Sequence, residues 1–149
     1  MKTVKNIKNP RKANTNTQQL LEIIADSMLD KKAEDVVSLD LTNLHDAMAD
    51  YFVICEATSP PQMRAIADNI VEKVKKLTGI FPNAQEGQNS TEWVLIDYLD
   101  IVVHIFHQSK RHVYQLEQLW GDAAIITSYQ PDGSRYVKHY HQTIIPKAE

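Results

Sequence analysis

The sequence predicts an α/β fold, a mixed β-sheet with helices packed against it. Three observations carry that prediction. After Ser59, the residues Met63, Ile66, Ala67, Ile70, Val71, Val74 and Leu77 make one apolar stripe at helical spacing, closed by Gly79. Tyr51-Phe52-Val53-Ile54-Cys55 is a nearly unbroken apolar run of strand length, the pattern of a strand covered on both faces. Two further β-type runs, 92–98 and 100–106, meet at a very short turn and lead into a helix ending in Trp120-Gly121.

Taken in order, residues 1–17 are polar and aperiodic and read as a disordered arm. From Gln18 to Lys32, Leu20, Leu21, Ile24, Met28 and Leu29 recur at helical spacing. Asp35–Leu41 is rich in β-branched residues and reads as a strand. Asp50–Glu56 follows as the buried strand. Ser59 is an N-cap candidate with proline at the first helical position. Ile80 and Phe81 are expected to begin a short strand that Pro82 confines to a sheet edge. The hairpin comes next, and then Ser109–Trp120 as a helix with Val113, Leu116, Leu119 and Trp120 inward. The expected order is α-β-β-α-β-β-β-α in one domain, 18–123. The tail, 124–149, opens on a weak strand pattern, Ala124-Ile125-Ile126-Thr127, before a turn at Pro131-Asp132-Gly133. Its structure the sequence leaves open.

Charge is unevenly placed. Residues 1–17 carry five cations and no acid, whereas 18–123 hold 8 Lys or Arg against 17 Asp or Glu. An acidic body repels phosphates and suits a basic protein partner, while the basic arm is able to reach RNA. The single cysteine, Cys55, sits in an apolar run and reads as a buried hydrophobe of a reducing compartment. No apolar run approaches membrane-spanning length, and no signal-peptide core follows the basic start. The expected location is the cytoplasm.

The signs of catalysis are thin. Only 4 glycines occur, and no Gly-rich phosphate loop, dinucleotide fingerprint or Gly-x-Ser-x-Gly is present. Six histidines (His45, His104, His107, His112, His139, His141) show no metal-ligand spacing, so no metal and no cofactor are expected. Asp97 and Asp100 flank the hairpin turn, with Asp40 and Asp50 near other strand ends. Two-metal nucleotidyl transfer uses acids so placed, but no Gly-Ser helix start and no Asp-x-Asp pair accompanies them. They read as turn and surface acids, and the chain as a non-enzyme.

Trp93 has the best claim to an interaction. In a strand, Trp93, Leu95 and Asp97 share one face and Val94, Ile96 and Tyr98 the other. An indole beside carboxylates on an open face is a typical interface anchor. With both faces covered, Trp93 is simply core, and the pattern alone does not choose.

These residues resemble the ribosomal silencing factor (Iojap-related) family. The matching stretches are Asp30–Val36, Leu39-Asp40-Leu41, Ala49–Cys55 with Thr58-Ser59, Ala65–Asp68, Glu86-Gly87, Glu92–Tyr98, Asp100–His104 and Tyr114–Asp122. They run in order over about 19–123. The resemblance implies a nucleotidyltransferase-like topology without catalysis, often in a homodimer. It implies binding to the large ribosomal subunit through a basic ribosomal protein, the one numbered fourteen, and a steric block to subunit joining that represses translation in starvation or stationary phase. Organellar relatives act instead in large-subunit assembly. By position it assigns the contact surface to Trp93, Asp97, Tyr98, Asp100 and Glu86, with peripheral rRNA contact by the arm. The chain departs from the family pattern at Leu99, where a glycine is usual, at Pro60-Pro61, and in the tail beyond Ala123.

Overall fold

The computed structural model describes residues 15–44, 46–111 and 125–139. Helix α1 (Thr15–Asp30) begins three residues before the expected Gln18, and Thr17 is already buried. It ends in a Schellman arrangement, with Lys32 at φ 64, Lys32 N–H donating to Leu29 O and Ala33 N–H to Met28 O. The Gln62 side chain completes this end by donating to the carbonyls of Lys31 and Lys32 at 3.0 and 3.1 Å.

Strands β1 (Glu34–Asp40) and β2 (Tyr51–Ala57) pair antiparallel, with a bulge after Glu34 where Asp35 takes φ 55. Arg111, almost fully buried, donates to the Asp35 carbonyl at 2.6 Å and lies 3.6 Å from Glu56. Helix α2 (Pro60–Thr78) carries the expected caps: Ser59 Oγ accepts from Gln62 N–H, and Gly79 takes φ 78 as its N–H reaches Lys75 O.

Strand β3 (Ala84–Glu86) stands after Pro82 and not at Ile80-Phe81. Pro82 cannot donate to a ladder, so pairing starts only where Asn83 N–H reaches Asp97 O at 2.7 Å. Ile80 and Phe81 are exposed instead. The edge position is as expected. Strands β4 (Trp93–Asp97) and β5 (Ile101–His107) form the expected hairpin, and β6 (Ile125–Tyr129) and β7 (Arg135–His139) a second one. Of the expected helix at 109–120, the part beyond Arg111 lies outside the described residues.

The strands form one seven-stranded sheet in the order β3-β4-β5-β2-β1-β6-β7. Among the described residues only β2 and β5 pair in parallel. β2 thus lies well inside the sheet and is buried along nearly its whole length, as its composition predicts. One sheet face meets α1 and α2 through a core including Ile24, Met28, Met63, Ile66, Ile70, Val53, Ile96 and Ile105. The other carries Leu39, Phe52, Ile54, Phe106 and Ile126, with Leu44, Ala47 and Trp93 packed against them. The tail hairpin is part of the fold. Tyr129 reaches the helix-side core, its hydroxyl 3.2 Å from Ser38 Oγ, and Arg135 pairs with Glu22 of α1.

Candidate docking site

Alternation along β4 and its register with β5 decide which side chains meet. Trp93 pairs with Phe106 and Leu95 with His104, so Trp93 and His104 are diagonal neighbours on the face away from the helices. The Trp93 indole N–H donates to His104 Nδ1 at 3.1 Å. Its ring leans on Phe106, with centroids 5.0 Å apart and planes 31° apart. His104 is only 4% exposed and is wedged edge-on against Phe52 at 4.6 Å. Accepting at Nδ1 assigns the remaining ring proton to Nε2. Burial among these apolar neighbours pushes the imidazole pKa down to about 3, so the ring is neutral near pH 7. The indole is held from behind by a group that does not change charge.

Trp93 is half-buried and forms a wall of a cleft shared with Glu86, Gly87, Ser90, Glu92 and Leu95. Ser90 Oγ accepts from the backbone N–H of Glu92 and Trp93, which fixes the entry to β4. Gly87, at φ 78, lets that loop close onto β4: a Cβ there would stand 2.4 Å from Trp93 O. Glu86 is exposed, and Glu92 has a side-chain exposure of 48% with Lys110 at 4.0 Å.

The other expected contact residues lie elsewhere. Asp97 and Asp100 flank the far end of β4, roughly 13 Å along the strand from Trp93. Asp97 Oδ1 accepts the Leu99 N–H at 2.7 Å, and Asp100 O accepts the N–H groups of Asp50 and Tyr51. Tyr98 points into the helix-side core, 7% exposed, and burial raises its pKa to about 12. Trp93 and Glu86 therefore share one cleft, Asp97 and Asp100 share the turn, and Tyr98 is under the helices. Sequence reasoning missed Glu92, Ser90 and the role of His104. The strand alternation around the turn, which sets Trp93 diagonal to His104, was the available signal.

Among the described residues no group of three or more His, Cys, Asp or Glu is placed to hold a metal ion. Cys55 is buried, and its thiol is pushed up to about 12 by burial, which leaves it unreactive. No helix among the described residues is long and apolar enough to cross a membrane.

A fixed indole among carboxylates on a mixed-sheet α/β domain has the make-up of a module that binds another macromolecule. The profile of the RsfS family, described as "Ribosomal silencing factor during starvation", matches residues 14–147, and the chain belongs to that family. It is similar to the ribosomal silencing factor RsfS of Bacillus subtilis, 42% identical over 110 residues that cover 74% of this chain and 92% of the relative. A crystal structure of a Chromobacterium violaceum protein superposes with a TM-score of 0.66 at 31% identity, covering 70% of this chain and 85% of that one. A Bacillus halodurans structure gives 0.60 at 42% identity, covering 69% and 94%.

Proposed function

We propose that this chain is a non-enzymatic ribosomal silencing factor. It docks on the large ribosomal subunit through a basic ribosomal protein and sterically blocks joining of the small subunit, which represses translation in starvation or stationary phase. The observation that carries this reading is the His104-fixed indole of Trp93 beside Glu86 and Glu92, in a chain whose family is described by ribosome silencing. Shape and charge complementarity do the work, and no bond is made or broken. Asp97 and Asp100, at the opposite end of β4, extend the contact along that strand to the turn. Residues 1–17 add a peripheral contact to rRNA, the free protein is a homodimer, and the site of action is the cytoplasm.

Sedimentation of the protein with purified ribosomal subunits tests this. Co-migration with the large subunit alone and a lower yield of joined ribosomes are expected. Trp93→Ala is expected to weaken co-migration at least tenfold, as is Trp93→Leu, which keeps apolar volume against Phe106. Deleting residues 1–14, which removes the five cations and leaves α1 whole, should cost much less. Normal subunit joining beside an accumulation of large-subunit precursors in cells lacking the protein would favour the assembly role. Wild-type co-migration by both Trp93 variants would place the interface elsewhere.

A further inference from the structure

We propose that the outer edge of β7 is the seam on which a second copy of this chain pairs, strand to strand, about a twofold axis at Val137. The proposal rests on the homodimer of the reading above and gives it a surface. In an antiparallel pair, opposed residues alternate between those that exchange hydrogen bonds and those whose N–H and C=O point away. Gln130 N–H donates to Ser134 O at 2.9 Å, and the same register makes Ser128 and Tyr136 the next bonded pair, so Val137 is not bonded to β6. The phase agrees across the sheet. Leu41 N–H donates to Asp50 O, which turns Leu39 and Val37 toward β2, Ser38 toward β6, and Thr127 toward β1 and away from Val137. Arg135 and Val137 therefore direct their N–H and C=O to the outer side, and among the described residues nothing takes them.

Edge strands of natural sheets are blunted by shortness, proline or charge. β3, at the other edge, has three residues and stands behind Pro82. β7 has five residues and no proline, and its Tyr136 and Val137 are 60% and 65% exposed on opposite faces. Arg135 does not guard it, since its guanidinium is drawn back to Glu22 of α1, to Gly133 O at 2.7 Å and over the Tyr129 ring. The strand is its own complement. An axis at Val137 sets Val137 opposite Val137, Arg135 opposite His139 and Tyr136 opposite Lys138, so neither cation meets another Arg or Lys. The outward residues 135, 137 and 139 are then the ones that exchange hydrogen bonds, over the whole strand. The two Val137 side chains, in a hydrogen-bonded pair, cover one another on the helix face. A basic strand from another protein would instead set its cations against Arg135 and Lys138. The seam lies at the opposite edge of the sheet from β3 and β4, so a dimer leaves Glu86 and Trp93 clear of it.

The test combines light scattering after size-exclusion chromatography with amide hydrogen exchange, on the full chain over a hundredfold range of concentration. The mass should pass from one chain to two as concentration rises, and the Val137 amide should become protected over the same range. Val137→Pro removes that N–H, and Val137→Glu sets two carboxylates at the axis. Each should raise the concentration needed for the dimer at least tenfold. The Ile126 and Ser128 amides, bonded to β7 within one copy, should keep their protection in both variants and so report an intact hairpin. Large-subunit co-sedimentation should stay within twofold of the parent chain. Variants as dimeric as the parent, or a Val137 amide that exchanges freely in the dimer, would leave the homodimer standing and overturn the seam. A parent chain that is monomeric across the whole range would end both. Loss of subunit binding in variants with an intact hairpin would assign the edge to a ribosomal strand and overturn the seam.

Discussion

Leu99 occupies the turn between β4 and β5 at φ 75, a left-handed conformation that costs a residue with a Cβ about 1–2 kcal/mol. The Asp97 carboxylate holds its N–H, and the side chain is 62% exposed, so little burial offsets the strain. Leu99→Gly is therefore expected to stabilise the chain by roughly 0.5–1 kcal/mol, the strain relieved less the added entropy of glycine. A higher urea midpoint with an unchanged slope would show it. His104 sets a second expectation. Its pKa falls from 6.5 when free to about 3 in the fold. Between those values the unfolded chain binds the proton that the folded chain refuses, so stability is complete above about pH 6.5 and declines as the pH falls toward 3. Trp93, Phe52 and Phe106 pack around the ring and bring no charge to offset this. From pH 7 to pH 5 the loss through this one group is on the order of 2 kcal/mol. His104→Asn, which keeps a side-chain acceptor, should lack that part of the slope in urea unfolding at the two pH values.

At the level of elements, the hairpin β6–β7 decides how the sheet ends. β6 pairs with β1 over Val36–Asp40 and places Ile126 and Tyr129 in the two cores. Removing residues 125–149 would turn β1 into an edge with open backbone groups flanked by uncovered apolar surface, the circumstance that favours strand-to-strand association. The truncated chain is expected to be less stable and to self-associate beyond the state of the full chain in size-exclusion chromatography with light scattering. An unchanged mass would mean that β1 has other cover. The hairpin also explains why the tail was hard to read. Its strands are short, and Tyr136 and Val137 of β7 remain exposed, so no strong burial pattern marks them. The shift of the edge strand past Pro82 has the opposite origin, because apolar Ile80 and Phe81 read as a strand start, whereas the Ile80 N–H is taken by Thr78 Oγ1 and Pro82 has no N–H to give a ladder.

Across the whole molecule, the acidic excess of 18–123 is opposed by the five cations of 1–17. Docking of such a body on a basic protein is expected to weaken steeply with salt, because exposed charges are screened over about 8–10 Å at physiological ionic strength. Co-sedimentation with large subunits should fall several-fold between 50 and 300 mM potassium chloride. Deleting 1–14, which takes all five of those cations and leaves α1 whole, should leave most of that dependence in place if the acidic face is its source. A salt dependence that vanishes with the arm would assign the electrostatics to RNA contact.

The sequence by itself determined the α/β class, the caps and apolar stripe of α2, the buried character of β2 and the tight β4–β5 hairpin. These depend on residues within a few positions of one another, where period and capping chemistry act. It also placed Trp93 and Asp97 on one strand face and Tyr98 on the other, since alternation is local. Only the tertiary structure decided the strand order, the parallel pairing of β2 with β5 and the cover that the tail gives to β1. It alone buried Tyr98 under the helices, brought Glu86 into one cleft with Trp93, and turned that indole toward His104. Those outcomes depend on which edges and faces remain open once distant segments meet, and no local periodicity encodes that.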